Sequence, residues 1–295
     1  MGLGIMWRDE TIDLLSQNPV IGYAPDGAPA TEPTALTALA LIAHERKDPA
    51  QLAIEFLTSS QSTDGSVGVR QKEASPGWPT SLAVLAWVAH DRKAHSAHID
   101  RAVSWLLEAK GKGMEQTADM GHNTQLVGWT WAENTHSWIE PTALAVLALK
   151  AVGQKSLART REGVTLLLDR QLPAGGCNYG NTVVLGQTLR PHVQPTGISL
   201  LALTKEADQG SRLAKSIAWL GRSLSAETTA ASLAWGLLGL AAHQVSLPKS
   251  NTWLEAAHRR VQAHDRSPHK LALLTLAAAG PQLLTSDLRP PTSDL

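Results

Sequence analysis

Acid–base chemistry needs carboxyls whose proton affinity is set by their surroundings, and this sequence places three glutamates in one recurring context. Glu32 and Glu140 each precede a Pro-Thr pair and Glu227 precedes a Thr-Thr pair, always just ahead of a run rich in Ala and Leu. A carboxylate there can cap a helix and offset the dipole of the helix that begins at that point. Two such groups facing one cavity could instead protonate an alkene or activate water. Glu140 is the first candidate acid and Glu32 the second, because Trp138 stands two residues before Glu140 and its ring could desolvate the carboxyl and raise its pKa. The candidate substrate-binding residues are Trp78, Trp138, Tyr179, Asn181, His192 and Gln194. Tyr179 and Asn181 lie in a Gly/Asn-rich stretch that turn formation explains equally well.

Metal and thiol chemistry have less to work with. Cys177 is the single cysteine, which excludes an internal disulfide framework and a multi-cysteine zinc site. It reads as a small packed side chain rather than a nucleophile. His122, His136 and His192 have no fixed ligand spacing, and His90, His95 and His98 fall in a charged linker. No metal and no cofactor are expected.

The elements that must position these residues follow from a repeat. Glu32-Pro33-Thr34-Ala35-Leu36 returns as Trp78-Pro79-Thr80-Ser81-Leu82, Glu140-Pro141-Thr142-Ala143-Leu144 and Gln194-Pro195-Thr196-Gly197-Ile198. A looser fifth copy runs from Glu227 to Leu240 and a sixth from Pro268 to Leu276. Pro suits the first helical position, and the Ala/Leu run that follows is strongly helix-forming. These helices are apolar nearly all round, so they must be buried on most faces. Between them, segments 10–17, 50–60, 98–110, 158–171, 211–224 and 251–264 mix charge with one apolar face, as surface helices do. The alternation predicts an all-α fold, an (α/α)6 toroid (barrel) of six parallel inner and six outer helices. Residues 1–295 then form one domain, with about 286–295 a flexible tail. An open solenoid would leave its inner helices less apolar on the concave side. The links 61–78, 111–140 and 172–194 are long, and all open on the face where inner helices begin, so a site belongs there. Six helix N-termini focus positive potential on the same face, with Arg70 and Arg190 the nearby basic residues.

These repeats resemble the terpenoid cyclase/protein prenyltransferase toroids, which include squalene–hopene cyclases and the β-subunits of protein prenyltransferases. The resemblance covers roughly residues 10–285. Squalene cyclases carry Gln-x-x-x-Gly-x-Trp, and here Gln61 to Val67 and Gln171 to Cys177 match with the Trp replaced; Gln125 to Trp129 is a shortened relative. The resemblance implies that such motifs pin an outer helix end to the next inner helix. It also implies an isoprenoid ligand. The family's catalytic marks are missing: no Asp-x-Asp-Asp run exists, and Gly175 replaces the Asp of the zinc-binding Asp-x-Cys. Asn178-Tyr179-Gly180 after Cys177 excludes the thioester sequence Cys-Gly-Glu-Gln found in complement-type toroids.

Composition narrows the function classes further. Lys and Arg total 26 against 26 Asp and Glu, so the zero net charge argues against a nucleic-acid partner. Of the few aromatic residues 10 are Trp, with two Tyr and one Phe, enough flat surface to line a pocket. Arg8, Asp9 and Glu10 stand where a signal peptide would be apolar, and the uncharged stretch 228–247 belongs to the repeat. The expectation is a cytoplasmic protein that binds or transforms an apolar small molecule of the isoprenoid type, with peripheral membrane contact and an unidentified protein partner left open. The alternatives are a catalytically silent toroid that holds a lipid or protein, and an (α/α)6 carbohydrate-active enzyme. A deep apolar cavity ending in an acid favours the isoprenoid reading, a filled centre a scaffold, and an open groove with exposed Trp and paired acids a sugar.

Overall fold

The computed structural model describes residues 3–117 and 120–285; the expected tail at 286–295 lies outside the described residues. In chain order the helices alternate between an outer and an inner layer. The outer helices are α1 (Leu3–Gln17), α3 (Lys47–Ser59), α5 (Ser96–Glu108), α7 (Ala158–Asp169), α9 (Arg212–Ser223) and α11 (Ser250–His264). The inner helices are α2 (Thr31–Ala43), α4 (Thr80–Asp91), α6 (Ile139–Ala151), α8 (Val193–Ala202), α10 (Ala230–Ala242) and α12 (Pro268–Ala279). Each inner helix packs on the next, and α12 packs back on α2, so the inner layer closes a ring. The fold is the all-α toroid that the repeat predicts.

The Ala/Leu runs explain the solid centre. From Ala35 to Leu41 and from Leu82 to Trp87 exposure is 0–1%, on every face of the helix. The same holds from Leu271 to Leu276, so the axis of the ring is filled with side chains. Small residues let the helices approach. A Cβ on Gly197 of α8 would lie 2.4 Å from the Trp235 carbonyl oxygen of α10, and one on Gly239 would lie 2.4 Å from the Gly197 carbonyl oxygen. A short helix, α13 (Gln282–Thr285), closes the far end of the ring: it packs on α4, α6 and α8, with Leu284 buried beside Leu147 and Leu201.

The threonine of each Pro-Thr pair is the joint of the repeat. The hydroxyls of Thr34, Thr80, Thr142 and Thr196 accept hydrogen bonds from the N–H groups of Ile21, Val67, Trp129 and Cys177 at 3.2, 2.8, 3.0 and 2.9 Å. Three of these bonds span 13 residues and the fourth spans 19. The excess is a hairpin at 183–188, made of β1 (Val183–Val184) and β2 (Gln187–Thr188), after which the Leu189 N–H returns to the Thr182 carbonyl at 2.8 Å. Strands of two residues leave no periodicity to read, so the sequence did not reveal them.

The Gln-x-x-x-Gly segments fasten each outer helix end to the next inner helix and also reach the outer helix beyond it. The Gln61 amide donates to the Gly65 carbonyl at 3.0 Å and to the His98 carbonyl of outer helix α5 at 2.9 Å. Gln171 donates to Ser199 of inner helix α8 at 2.9 Å and accepts from Ser216 of outer helix α9 at 2.7 Å. Both motifs therefore reach the next outer helix and, through the Val67 N–H on Thr80 and the Gln171 amide on Ser199, the next inner helix as well. Gly65 and Gly175 have φ of +94° and +99°, and a Cβ on either would strike a carbonyl oxygen of that outer helix at 2.3 or 2.4 Å. Left-handed backbone and close approach both demand glycine there. In the third link Arg159 of α7 does this work, donating to the carbonyls of Val127, Gly128 and Ala109 at 2.7, 2.8 and 2.9 Å. No described helix is long and apolar enough to cross a membrane.

Candidate functional site

The long links fold over the starts of the inner helices. The first N–H of α2 donates to the Val69 carbonyl at 2.9 Å, and that of α6 to the Tyr179 carbonyl at 2.8 Å. No side chain caps either helix. Glu32 and Glu140, each second in its helix, are thus not capping groups, although each still meets the favourable end of the dipole.

Glu140 is 6% exposed, and its Oε1 is buried without a hydrogen-bond partner. Burial pushes its pKa up to about 7; the Gln194 side chain, hydrogen-bonded to the carboxyl, acts the other way, and the charge of Glu32 adds to the rise. Glu32 is held differently. The Tyr23 hydroxyl donates to its Oε2 at 2.7 Å, and His269 Nε2 lies 3.6 Å from its Oε1. Tyr23 and His269 pack edge to face with ring centroids 5.2 Å apart. Burial first, and then Glu32, hold the Tyr23 phenol well above its ordinary range, while Arg70 opposes this. Tyr23 therefore remains a donor to Glu32 at any working pH. Two carboxyls in unlike surroundings give one group, Glu140, whose proton burial holds more tightly, and a second, Glu32, that accepts a hydrogen bond from Tyr23.

Tyr179 and His192 form the rim, with ring centroids 4.9 Å apart. Burial, then the charge of Glu140, raises the Tyr179 phenol. Beneath, the fully buried Cys177 thiol is pushed up to about 12 by burial above all, so it stays a thiol.

The structure therefore gathers Glu32, Glu140, Gln194, Tyr179 and His192 at the mouth of the ring and separates the other candidates. Trp78 stands in an adjacent groove, packed edge to face on Trp131 with centroids 4.7 Å apart. The Trp138 ring packs on His136 at 4.7 Å. Asn181 is exposed and lines a smaller recess of about 140 Å3 with His122, His136 and Arg170. Glu227 departs from the pattern: α10 begins at Ala230, and the exposed Glu227 accepts from Ser225 Oγ at 2.7 Å, which lowers its pKa. Sequence reasoning missed Tyr23 and His269. For His269 a signal existed, since it follows Pro268 where the clear copies of the repeat have Thr. Among the described residues no three His, Cys, Asp or Glu side chains stand together as a metal would require.

The fold is shared with proteins of distant sequence. An alpha-2-macroglobulin from Salmonella, reacted with methylamine, is 15% identical over 92% of this chain with a TM-score of 0.53; the chain spans only 17% of that protein. A protein from Actinoplanes is 14% identical, with 93% of this chain and 98% of that one covered and a TM-score of 0.59. A glycosidase is 11% identical, with 95% and 97% covered and a TM-score of 0.60. Identities this low speak for the fold alone. Among curated proteins none matches. The sequence itself carries a family signature: residues 8–186, more than half of the chain, match the squalene-hopene cyclase C-terminal domain. With the closed ring, the Pro-Thr joints and the Gln-x-x-x-Gly fastenings, this match shows that the chain belongs to the squalene-hopene cyclase C-terminal domain family.

Proposed function

We propose that the mouth of the ring is a general-acid site, with Glu140 as proton donor and Glu32 as the second carboxyl, acting on an acetal-type C–O bond. The observation that carries this reading is the buried, unpartnered Oε1 of Glu140 beside a carboxylate already held by Tyr23. In the proposed step Glu140 gives its proton to the bridging oxygen, the C–O bond breaks, and an alcohol leaves. Water then adds to the oxocarbenium carbon, and its proton passes to Glu32, from which solvent returns one to Glu140. Tyr179, His192 and Gln194 would hold the substrate at the rim. The filled axis, which taken alone favours a scaffold, leaves the mouth as the place for any substrate, because the inner helices offer almost no exposed surface inside the ring.

A second reading rests on the family match: Glu140 would protonate an isoprenoid alkene, and such an apolar ligand would bring a cytoplasmic protein to a membrane surface. One experiment separates the two. Wild type and Glu140→Gln are incubated with a panel of fluorogenic glycosides and, separately, with squalene, with product read by fluorescence and by mass spectrometry. The first reading expects glycoside hydrolysis that falls about 100-fold or more in the variant, a size typical of lost general-acid catalysis. Cyclised squalene without hydrolysis would replace it with the second reading. Turnover of neither substrate class would refute both.

A further inference from the structure

Beside the mouth lies a groove with its own chemistry. The links into α4 and α6 and the end of α5 enclose about 430 Å3, a volume suited to a small ligand. Trp78, Trp105 and Trp131 line it, and Asp64, Glu108 and Glu133 stand on it against one cation, Lys110. Trp78 and Trp131 meet at 80°, so their rings make a corner rather than a flat platform. Gly77 makes room for the third ring: a Cβ there would lie 2.6 Å from the Trp105 indole. Behind them Trp129 already carries a cation, with the Arg159 guanidinium carbon 3.7 Å from its ring centroid.

We propose that this groove binds a quaternary or methylated ammonium group. Ring faces attract such a cation through their quadrupole, and the carboxylates attract it through their charge. A corner of two rings touches a rounded cation on two sides, whereas a sugar lies on one flat face. The charge balance decides in the same direction. Three carboxylates against one Lys give the groove a net negative charge, which attracts a cation, repels an anion and gives a neutral sugar no advantage. Nothing in this assignment depends on the acid at the mouth.

The test titrates the full chain with choline and with its uncharged isostere 3,3-dimethylbutan-1-ol, at constant ionic strength, by calorimetry and by indole N–H shifts in NMR. Choline is expected to bind saturably and the isostere at least about tenfold more weakly. Trp131→Ala and Glu133→Gln are each expected to weaken choline binding by about five- to tenfold, while Glu140→Gln leaves it unchanged. Glu133 lies on an exposed turn, so its variant carries the test if Trp131→Ala does not fold. Equal binding of the two probes, no saturable choline binding, or choline binding unaffected by Glu133→Gln would each overturn the proposal.

Discussion

Replacing Glu140 by Gln should make the protein more stable at neutral pH and leave it unchanged in acid. The folded carboxyl binds its proton more tightly than the unfolded one, since burial raises its pKa from 4.5 to about 7. Wild type therefore carries no penalty below the unfolded value. It loses stability as pH rises between the two values, and above the upper one the loss is complete. The displacement corresponds to about 3 kcal/mol. Gln keeps the shape, the acceptor oxygen and the partner Gln194 but has no charge to bury. The difference between variant and wild type should grow from near zero at about pH 4.5 to about 3 kcal/mol in the variant's favour at about pH 8. Urea unfolding of both proteins across this range measures it, and titrations common to the two proteins cancel in the difference. A flat difference would show that Glu140 ionises like an exposed carboxylate. A variant equally destabilised at every pH would make Glu140 only a partner of the helix dipole.

Thr142→Val leaves the Trp129 N–H without its buried acceptor and should cost about 1–3 kcal/mol in urea unfolding; a loss below about 0.5 kcal/mol would remove the Pro-Thr joint from the account. Gly197→Ala drives a methyl to 2.4 Å from the Trp235 carbonyl oxygen and should destabilise by about 1–3 kcal/mol, whereas Gly221→Ala, with nothing within 4 Å, should be neutral or stabilising. Deleting the hairpin 183–188 should change stability by less than about 1 kcal/mol, because Thr182 and Leu189 are already hydrogen-bonded across its base; a protein that fails to fold would show that the hairpin is not an insertion.

The ring was legible because its signal is repeated and chemically uniform. Pro-Thr followed by Ala and Leu marks a helix start and a fully buried helix at once, and the first four copies agree. Glu140 and Glu32 could be found because the repeat puts them at the same position of parallel helices, whose starts must converge. The pattern stopped being informative where the repeat degenerates. Glu227 looks equivalent in sequence, yet α10 begins three residues later, and the side chain turns to Ser225 instead. Tyr23 lies before the first copy and His269 inside the weakest, so the groups that hold Glu32 carried no periodic label. Trp78 occupies the position of Glu140 in its own copy but packs on Trp131, because two long links meet there and bring a second indole. The partners of Gln61 lie on α5, nearly forty residues away, a distance over which local sequence says nothing.

The protonation state of Glu140 decides whether the mouth holds an acid, and it can be read directly. Carbon-13 NMR of protein labelled at the glutamate side-chain carboxyl, with Glu140→Gln to assign the resonance, follows this one group through a pH titration. The account predicts a midpoint near 7, with the carboxyl still largely protonated at about pH 6. A midpoint between about 4 and 5, that of an ordinary solvated glutamate, would contradict it.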